Sequence, residues 1–200
     1  MTPGSEGYEN NLQLFIEACR SLDFKIVCKD FLNYLPPERS NVLDLGSGAG
    51  QNSVALYALG FSVTAVEPMQ KMIDSAKSTY SSQSVKWLNG SLPHLSCLGS
   101  SNEYFDFVLI EAVWHHLNDM ERESAAIRLS SIVKKHGSCA ISLRNGPAGM
   151  GTRVFPIDVT ETVELFRSNG FECVFRAEDQ DSILAHKEEV KWSRLVLKKL

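Results

Sequence analysis

A glycine-rich turn between two apolar runs is the feature that most constrains how this chain folds. The first run, Val42–Leu45, predicts a buried strand, and the turn from Gly46 to Gly50 contains too much glycine for the interior of a helix. A helix should follow, and then a second strand over Phe61–Val66. The apolar face expected for that helix consists of Val54, Ala55, Ala58 and Leu59.

An acidic residue, Glu67, ends the second apolar run, about 20 positions after Gly46. A carboxylate at that separation can accept both hydroxyls of a ribose, and the glycines let a ligand approach the backbone closely. The G-x-G-x-x-G fingerprint of dinucleotide sites is not matched, because Gln51 takes its third glycine position and Gly50 comes one place early. Asp44 would oppose a bound pyrophosphate. The pattern therefore favours a positively charged nucleoside ligand.

The stretch from Val42 to Gly50 resembles the first motif of the class I S-adenosylmethionine-dependent methyltransferases, and Glu67-Pro68-Met69 resembles the acidic end of that family's second strand. The resemblance covers nearly the whole chain. It implies a Rossmann-like, doubly wound α/β fold, with a seven-stranded, mostly parallel sheet and an antiparallel last strand. It also implies S-adenosylmethionine as cofactor, S-adenosylhomocysteine as product, and in-line methyl transfer to a small-molecule acceptor. The cofactor-binding residues expected are Asp44, Gly46, Ser47, Gly48, Gly50, Gln51, Asn52, Glu67, Pro68, Met69, Asn89, Ser91, Leu92 and Glu111.

The loop after the third predicted strand, Asn89 to Leu95, should line the adenine pocket. In the family this loop often carries an Asp that accepts a hydrogen bond from the adenine amine. Asn89 stands near that place here, and its amide oxygen could accept the same bond. Met69 or Leu92 would pack against the adenine, and Glu111 is a candidate partner for the ammonium group of the cofactor.

Two adjacent histidines, His115 and His116, follow the fourth predicted strand in a run that resembles the family's fourth motif. That motif lies where the methyl group meets its acceptor. Either histidine could orient the acceptor or take its proton near neutral pH. The alternative is that one of them only packs or caps the next helix.

Arg144 and Arg153 bracket a stretch rich in glycine and proline, which predicts a loop on the ligand side of the sheet. Either arginine could bind a carboxylate or phosphate of the acceptor through two parallel hydrogen bonds. The alternative is that the arginine ties the loop to nearby carbonyl groups, which we favour for Arg153.

The remaining elements follow from apolar spacing and from turn residues. A helix from Asp119 should end at Gly137, before a fifth strand over Ser138–Leu143. Two last strands should pair antiparallel across a polar loop that contains Glu178–Asp181, and Trp192 should lie in the core. Two helices are predicted between residues 8 and 35, where Tyr8 is a candidate for a lid and for contact with the acceptor.

Length, charge and cysteine content indicate the number of domains, the kinds of partner and the cellular compartment to expect. We expect residues 1–200 to form a single domain, with N-terminal helices over 1–37 and the core over 38–200. A net charge of −4 provides no general attraction to nucleic acid or membrane. No signal peptide, spanning segment or metal-ligand spacing is evident, and the five cysteines are scattered, so we expect a cytoplasmic, metal-free monomer or homodimer with reduced thiols.

Three other functions remain open from the sequence. A nicotinamide-dependent oxidoreductase would need a dinucleotide loop, against which Gly50 and Gln51 argue. A non-catalytic S-adenosylmethionine sensor or partner subunit would carry the same motifs, because methyl transfer has no obligatory catalytic residue. A tRNA-modifying methyltransferase is less favoured, because the chain is acidic and shows no added RNA-binding segment.

Overall fold

Seven strands hydrogen-bond into one sheet in a computed structural model that describes residues 4–100, 104–184 and 187–200. Their order across the sheet is β3-β2-β1-β4-β5-β7-β6. The first five strands pair in parallel, whereas β7 runs antiparallel to both of its neighbours. The predicted fold is therefore confirmed. The strands are β1 (Asn41–Leu45), β2 (Ser62–Glu67), β3 (Lys86–Asn89), β4 (Phe105–Ile110), β5 (Val133–Asn145), β6 (Phe171–Asp181) and β7 (Lys191–Lys199).

Helices cover both faces of this sheet. Because successive strand residues point to opposite faces, Val42 packs with Phe24 and Leu56 on one side, and Leu43 packs with Phe166 on the other. The α-helices are α1 (Leu12–Arg20), α2 (Phe24–Val27), α3 (Gln51–Ala58), α4 (Gln70–Thr79), α5 (Asp119–Ile132) and α6 (Val159–Ser168). Short 3₁₀ helices span Tyr8–Asn11, Lys29–Tyr34, Ser96–Leu98 and Trp114–His116.

The parallel register brings three chain segments to one edge of the sheet. Leu45 of β1 lies opposite Val66 of β2 and Ile110 of β4, and Ile110 lies opposite Ile141 of β5. The glycine turn after β1, the acidic end of β2 and the segment after β4 therefore begin side by side. This is the edge at which open α/β sheets bind ligands.

The buried face of α3 differs from the predicted one. Asn52, Ser53 and Leu56 are buried, whereas Ala58 and Leu59 are exposed. The polar side chains point inward because the helix starts directly above β1, where the Ser53 hydroxyl donates to the Asp44 carboxylate at 2.5 Å. Apolar spacing alone could not show that a buried hydrogen bond would set the rotation of this helix.

Gly137 does not end a helix, contrary to the prediction. Helix α5 ends at Ile132, and β5 begins at the next residue. A Cβ atom on Gly137 would come within 2.9 Å of the Asp106 carbonyl oxygen, so this glycine permits the close approach of β5 to β4.

Strands β5 and β6 are longer than the sequence predicted. Arg144 is a strand residue of β5 rather than a loop residue, and the acidic run Glu178–Asp181 belongs to β6 rather than to a solvated loop. Both segments extend strands that pair with β7. Because this pairing depends on a distant part of the chain, the polar local sequence does not predict it. The second predicted N-terminal helix is divided into α2 and the 3₁₀ turn Lys29–Tyr34.

Candidate functional site

The glycine turn forms one wall of the site. Gly46, Gly48 and Gly50 all have positive φ angles, at 68°, 53° and 89°, which residues other than glycine rarely adopt. The backbone N–H groups of Gly46 and Ser47 both donate to the Val66 carbonyl, at 2.8 and 3.1 Å, and thereby fasten the turn to β2. The turn is thus held in one conformation, in which Gly46, Ser47 and Gly48 line a cleft.

Glu67 is fixed by two backbone donors at the end of β2. Its two carboxylate oxygens accept hydrogen bonds from the N–H groups of Gly48, at 3.0 Å, and Met69, at 2.9 Å. The side chain is 5% exposed and lines the cleft, and burial raises the pKa of its carboxyl group to about 7. The glycine turn and the acid at the end of β2 are thus one structural unit, as their spacing predicts.

A cleft with a volume of about 390 Å³ lies against this unit. The predicted cofactor-binding residues that line it are Gly46, Ser47, Gly48, Gln51, Asn52, Glu67, Pro68, Met69, Ser91, Leu92 and Glu111. Within the described part of the chain, five buried atoms of cleft-lining residues have no hydrogen-bond partner: Ser47 Oγ, Gln51 Oε1, Glu111 Oε2, His115 Nδ1 and Arg194 Nε. Burial also raises the pKa of Glu111 to about 7. Buried polar atoms without partners are costly, so their grouping here indicates a place for a polar ligand.

Asp44 and Gly50 do not line the cleft, contrary to prediction. Asp44 is 1% exposed and lies beneath the turn, where it accepts the Ser53 hydroxyl, and burial raises its pKa to about 6. A Cβ atom on Gly50 would come within 2.6 Å of the Trp87 ring, so packing against β3 requires glycine there. Both residues shape the turn from behind.

Asn89 and Arg153 are also engaged elsewhere. The amide nitrogen of Asn89 donates to the Pro68 carbonyl at 2.9 Å, and the residue does not line the cleft. Arg153 donates to the His116 carbonyl and forms an ion pair with Glu121 at 2.9 Å. The structure thus agrees with the interpretation of Arg153 as a residue that ties its loop, and not with a direct contact to the acceptor.

Both histidines line the same cleft, together with Tyr8. His116 Nδ1 lies 2.6 Å from the Arg153 carbonyl oxygen, which only accepts, so this nitrogen carries a proton. Burial lowers the pKa of His116, so its Nε2 is unprotonated near neutral pH and accepts the Tyr8 hydroxyl at 3.0 Å. His115 is 3% exposed, its Nδ1 has no partner among the described residues, and burial lowers its pKa well below the ordinary value.

Arg144 lies at the end of β5, faces Trp192 across the strand pair, and lines the cleft. Trp192 lines the same cleft and was missed by the sequence analysis, which placed it in the core. Its position follows from the antiparallel register of β5 and β7, which has no local sequence signal. Other cleft residues that the sequence did not reveal are Phe15, Cys19, Met150, Ile183, Leu184 and Arg194.

A family model described as a methyltransferase domain matches residues 42–137, which include the glycine turn, Glu67 and both histidines. Residues 42–137 thus match a methyltransferase domain, and the chain has the fold of S-adenosylmethionine-dependent methyltransferases of known structure.

Curated relatives include the ubiquinone biosynthesis O-methyltransferase of Rickettsia felis, 28% identical over 123 residues, or 60% of this chain and 48% of the relative. The chain spans about half the length of the curated relatives it matches.

Two methyltransferases of known structure, both from bacteria, share this fold. A TehB-like enzyme from Corynebacterium glutamicum is 18% identical, with a TM-score of 0.67 and 98% of each chain covered. The 1,6-didemethyltoxoflavin-N1-methyltransferase of Burkholderia thailandensis is 18% identical, with a TM-score of 0.70 and coverage of 98% of this chain and 84% of the other. At these identities the similarity establishes the fold alone.

Across residues 4–100, 104–184 and 187–200, no helix is long and apolar enough to cross a membrane. No group of three or more His, Cys, Asp or Glu side chains in those ranges could hold a metal ion.

Proposed function

We propose that this protein transfers a methyl group from S-adenosylmethionine to a small-molecule acceptor. The observation that carries this proposal is a single cleft with two chemically different sides. Glu67 and the glycine turn form one side, and the Tyr8–His116 pair with Arg144 forms the other. One side suits a ribose-bearing cofactor and the other suits an acceptor that must lose a proton.

The residues on the cofactor side fit S-adenosylmethionine. Each oxygen of Glu67 accepts one backbone N–H, and a carboxylate has about four acceptor positions, so two remain for ribose hydroxyls. The unpartnered Oε2 of Glu111 suits the ammonium group of the cofactor, and the unpartnered Ser47 Oγ suits its polar portion. Met69 or Leu92 would pack against the adenine. When bound, the cofactor supplies a methyl group that its sulfonium already makes electrophilic.

The residues on the acceptor side can move a proton. Tyr8 donates its hydroxyl hydrogen to His116 Nε2, and burial raises the pKa of Tyr8 to about 12, so the phenol stays protonated near neutral pH. As the acceptor loses its proton to the Tyr8 oxygen, the original hydroxyl hydrogen passes to His116 Nε2. The Arg153 carbonyl holds His116 in the tautomer that this transfer needs.

The rest of the cleft would orient the acceptor and exclude water. N-terminal residues such as Tyr8 and Phe15 lie over the same cleft as Met150 of the loop after β5. A Cβ atom on Gly151 would come within 2.4 Å of the Tyr8 ring, so this loop packs closely against the N-terminal segment. Positioning of this kind can contribute ~7–11 kcal/mol to lowering a barrier.

The curated relatives support a small acceptor. They are ubiquinone biosynthesis O-methyltransferases, which favours a hydroxyl oxygen as the nucleophile over an RNA base. At 28–29% identity they do not specify which molecule this protein methylates. A lid formed by residues 1–37 and a role for His115 as a second orienting group are parts of the same proposal.

Calorimetric titration with S-adenosylhomocysteine tests the cofactor assignment. We expect wild type to bind it and not NADH, and Glu67→Gln to bind it at least about tenfold more weakly, because a charge-assisted hydrogen bond is worth ~1.5–3 kcal/mol. Glu164→Gln, at an exposed position of α6, is the matched control and should bind like wild type. Binding of NADH without binding of S-adenosylhomocysteine would refute the assignment.

Turnover then tests catalysis. S-adenosylhomocysteine release from S-adenosylmethionine would be measured with pooled low-mass phenols, amines and thiols, and separately with tRNA. We expect release with a low-mass pool, and a drop of about 10²-fold in Tyr8→Phe with unchanged cofactor affinity. Tyr80→Phe, at the end of α4, is the control. Cofactor binding without release from any pool would favour a sensor, and release with tRNA alone would favour an RNA-modifying enzyme.

A further inference from the structure

Arg144 is a buried cation at the end of the cleft, 9% exposed, within the acceptor side described above. It donates to the carbonyl oxygens of Gly146, at 3.4 Å, and Pro147, at 2.7 Å. Over the described ranges of the chain, no Asp or Glu carboxylate lies within 4.0 Å of its guanidinium. A guanidinium has five N–H donors, so most of its hydrogen-bonding capacity remains available.

Among the described residues, the two other arginines with buried side chains each have an acidic partner, whereas the partly buried Arg20 and Arg128 have none within 4.0 Å. Arg122 pairs with Asp119 at 3.1 Å, and Arg194 lies 3.8 Å from Asp30. Arg153 has two acids within reach. Burial of an unpaired charge is costly, so the buried Arg144, which has no acid, is suited to an anion supplied from outside the chain.

The surroundings of Arg144 are themselves short of negative charge. Tyr8, His115 and His116 lie close enough for its charge to lower their pKa values, and Lys187 lines the same cleft. The acids that line the cleft, Glu67 and Glu111, form no ion pair with Arg144. An anion bound at Arg144 would therefore meet a guanidinium that no carboxylate of the described chain neutralises.

A second buried polar atom in this region also lacks a partner. His115 Nδ1 has no hydrogen-bond partner among the described residues, although its side chain is 3% exposed and lines the cleft. The His115 ring contacts the Trp192 ring edge-on, with centroids 6.4 Å apart, and Trp192 faces Arg144 across β5 and β7. Arg144, His115 and Trp192 thus surround one pocket with a cation, a free ring nitrogen and an apolar wall.

We propose that Arg144 binds an anionic group, a carboxylate or a phosphate, of the methyl acceptor. This inference rests on the proposed methyl transfer and names the class of substrate that the enzyme would take. The planar guanidinium can hold two oxygens of the anion at once, which fixes the orientation of the acceptor as well as its position. An acceptor held there has its nucleophile within the same small cleft as the Tyr8 hydroxyl.

The test uses protein saturated with S-adenosylhomocysteine, whose binding is measured first. Benzoate, phenyl phosphate and neutral benzamide are then titrated calorimetrically into wild type, Arg144→Gln and Arg144→Lys. Arg167→Gln, at an exposed arginine on α6, is the matched control. We expect one or both anions to bind wild type at least about tenfold more tightly than benzamide, a difference of ~1.4 kcal/mol.

The variants separate anion binding from a structural role. Arg144→Gln should lose that preference for the anions while it keeps its affinity for S-adenosylhomocysteine, and Arg144→Lys should restore part of the preference because it retains the charge. Preference for benzoate or for phenyl phosphate identifies the carboxylate or the phosphate as the source. Equal binding of anions and benzamide, or an unchanged preference in Arg144→Gln, would overturn the inference. Failure to bind S-adenosylhomocysteine would instead refute the proposed function.

Discussion

Replacing Glu67 with glutamine should change how the stability of the free protein depends on pH. Burial raises the pKa of Glu67 from 4.5 to about 7, although the N–H groups of Met69 and Gly48 partly offset this effect. The unfolded chain releases this proton near 4.5, so the folded chain holds the proton more tightly between the two values. Stability contributed by this group therefore falls as the pH rises from about 4.5 to about 7, and then stays constant.

The size of the effect follows from those two values. A shift from 4.5 to about 7 corresponds to about 3 kcal/mol of unfolding free energy. Of this, about 2.5 kcal/mol should be lost between pH 5 and pH 8, because the unfolded chain has already begun to titrate at pH 5. Glutamine has the same shape and no proton to release. Any cost of its amide group facing a backbone N–H is the same at both pH values.

Urea denaturation at pH 5 and pH 8, followed by tryptophan fluorescence, measures this difference. Wild type should lose about 2.5 kcal/mol more than Glu67→Gln between the two conditions. Asp44 and Glu111 also have raised pKa values and are present in both proteins, and of these two only Asp44 acts on the pKa of Glu67. Glu164→Gln should behave like wild type. An equal loss of unfolding free energy in wild type and Glu67→Gln would show that ionisation of the buried Glu67 carboxyl does not destabilise the protein, and would refute this prediction.

Two further substitutions test Gly50 and Arg153, which were predicted to bind a ligand but do not line the cleft. Gly50→Ala should lower the unfolding free energy by about 2–4 kcal/mol, because its Cβ atom would meet the Trp87 ring at 2.6 Å. The folded variant should still bind S-adenosylhomocysteine with nearly normal affinity in calorimetry. A large loss of affinity with normal stability would contradict the packing role of Gly50. Arg153→Met should lower the unfolding free energy by about 1–3 kcal/mol, because it breaks the ion pairs with Glu121 and Glu6. It should also speed hydrogen exchange in the N-terminal segment. Unchanged exchange would show that Arg153 does not hold that segment.

Much of the fold was predictable from local chemistry. The strand before Gly46 and the strand ending at Glu67 are short apolar runs, and glycine at the turn is required by positive φ angles. These features depend on neighbouring residues, so spacing alone was sufficient. Gly137 shows the limit of this reasoning: a glycine after a helical pattern reads as a helix end, yet here it serves the contact between two strands.

The two arginines show the same division within the site. Arg144 and Arg153 flank one glycine-rich stretch, and from the sequence we favoured a loop-tying role for Arg153 while both roles stayed open for Arg144. The structure pairs Arg153 with Glu121, far away along the chain, and leaves Arg144 without an acid among the described residues. Which arginine is neutralised depends on long-range neighbours, which a single sequence does not reveal.

The sequence by itself determined the glycine turn, the acid that faces it and hence the kind of ligand, because these rest on backbone conformation and on residue type over a short span. Only the tertiary structure decided which side chains line the acceptor side. Tyr8, His116, Arg144 and Trp192 come from four separate segments, and they meet because the sheet register and the N-terminal segment bring them together. Contacts of this kind are set by packing across the whole domain, so the acceptor's chemistry becomes visible only in three dimensions.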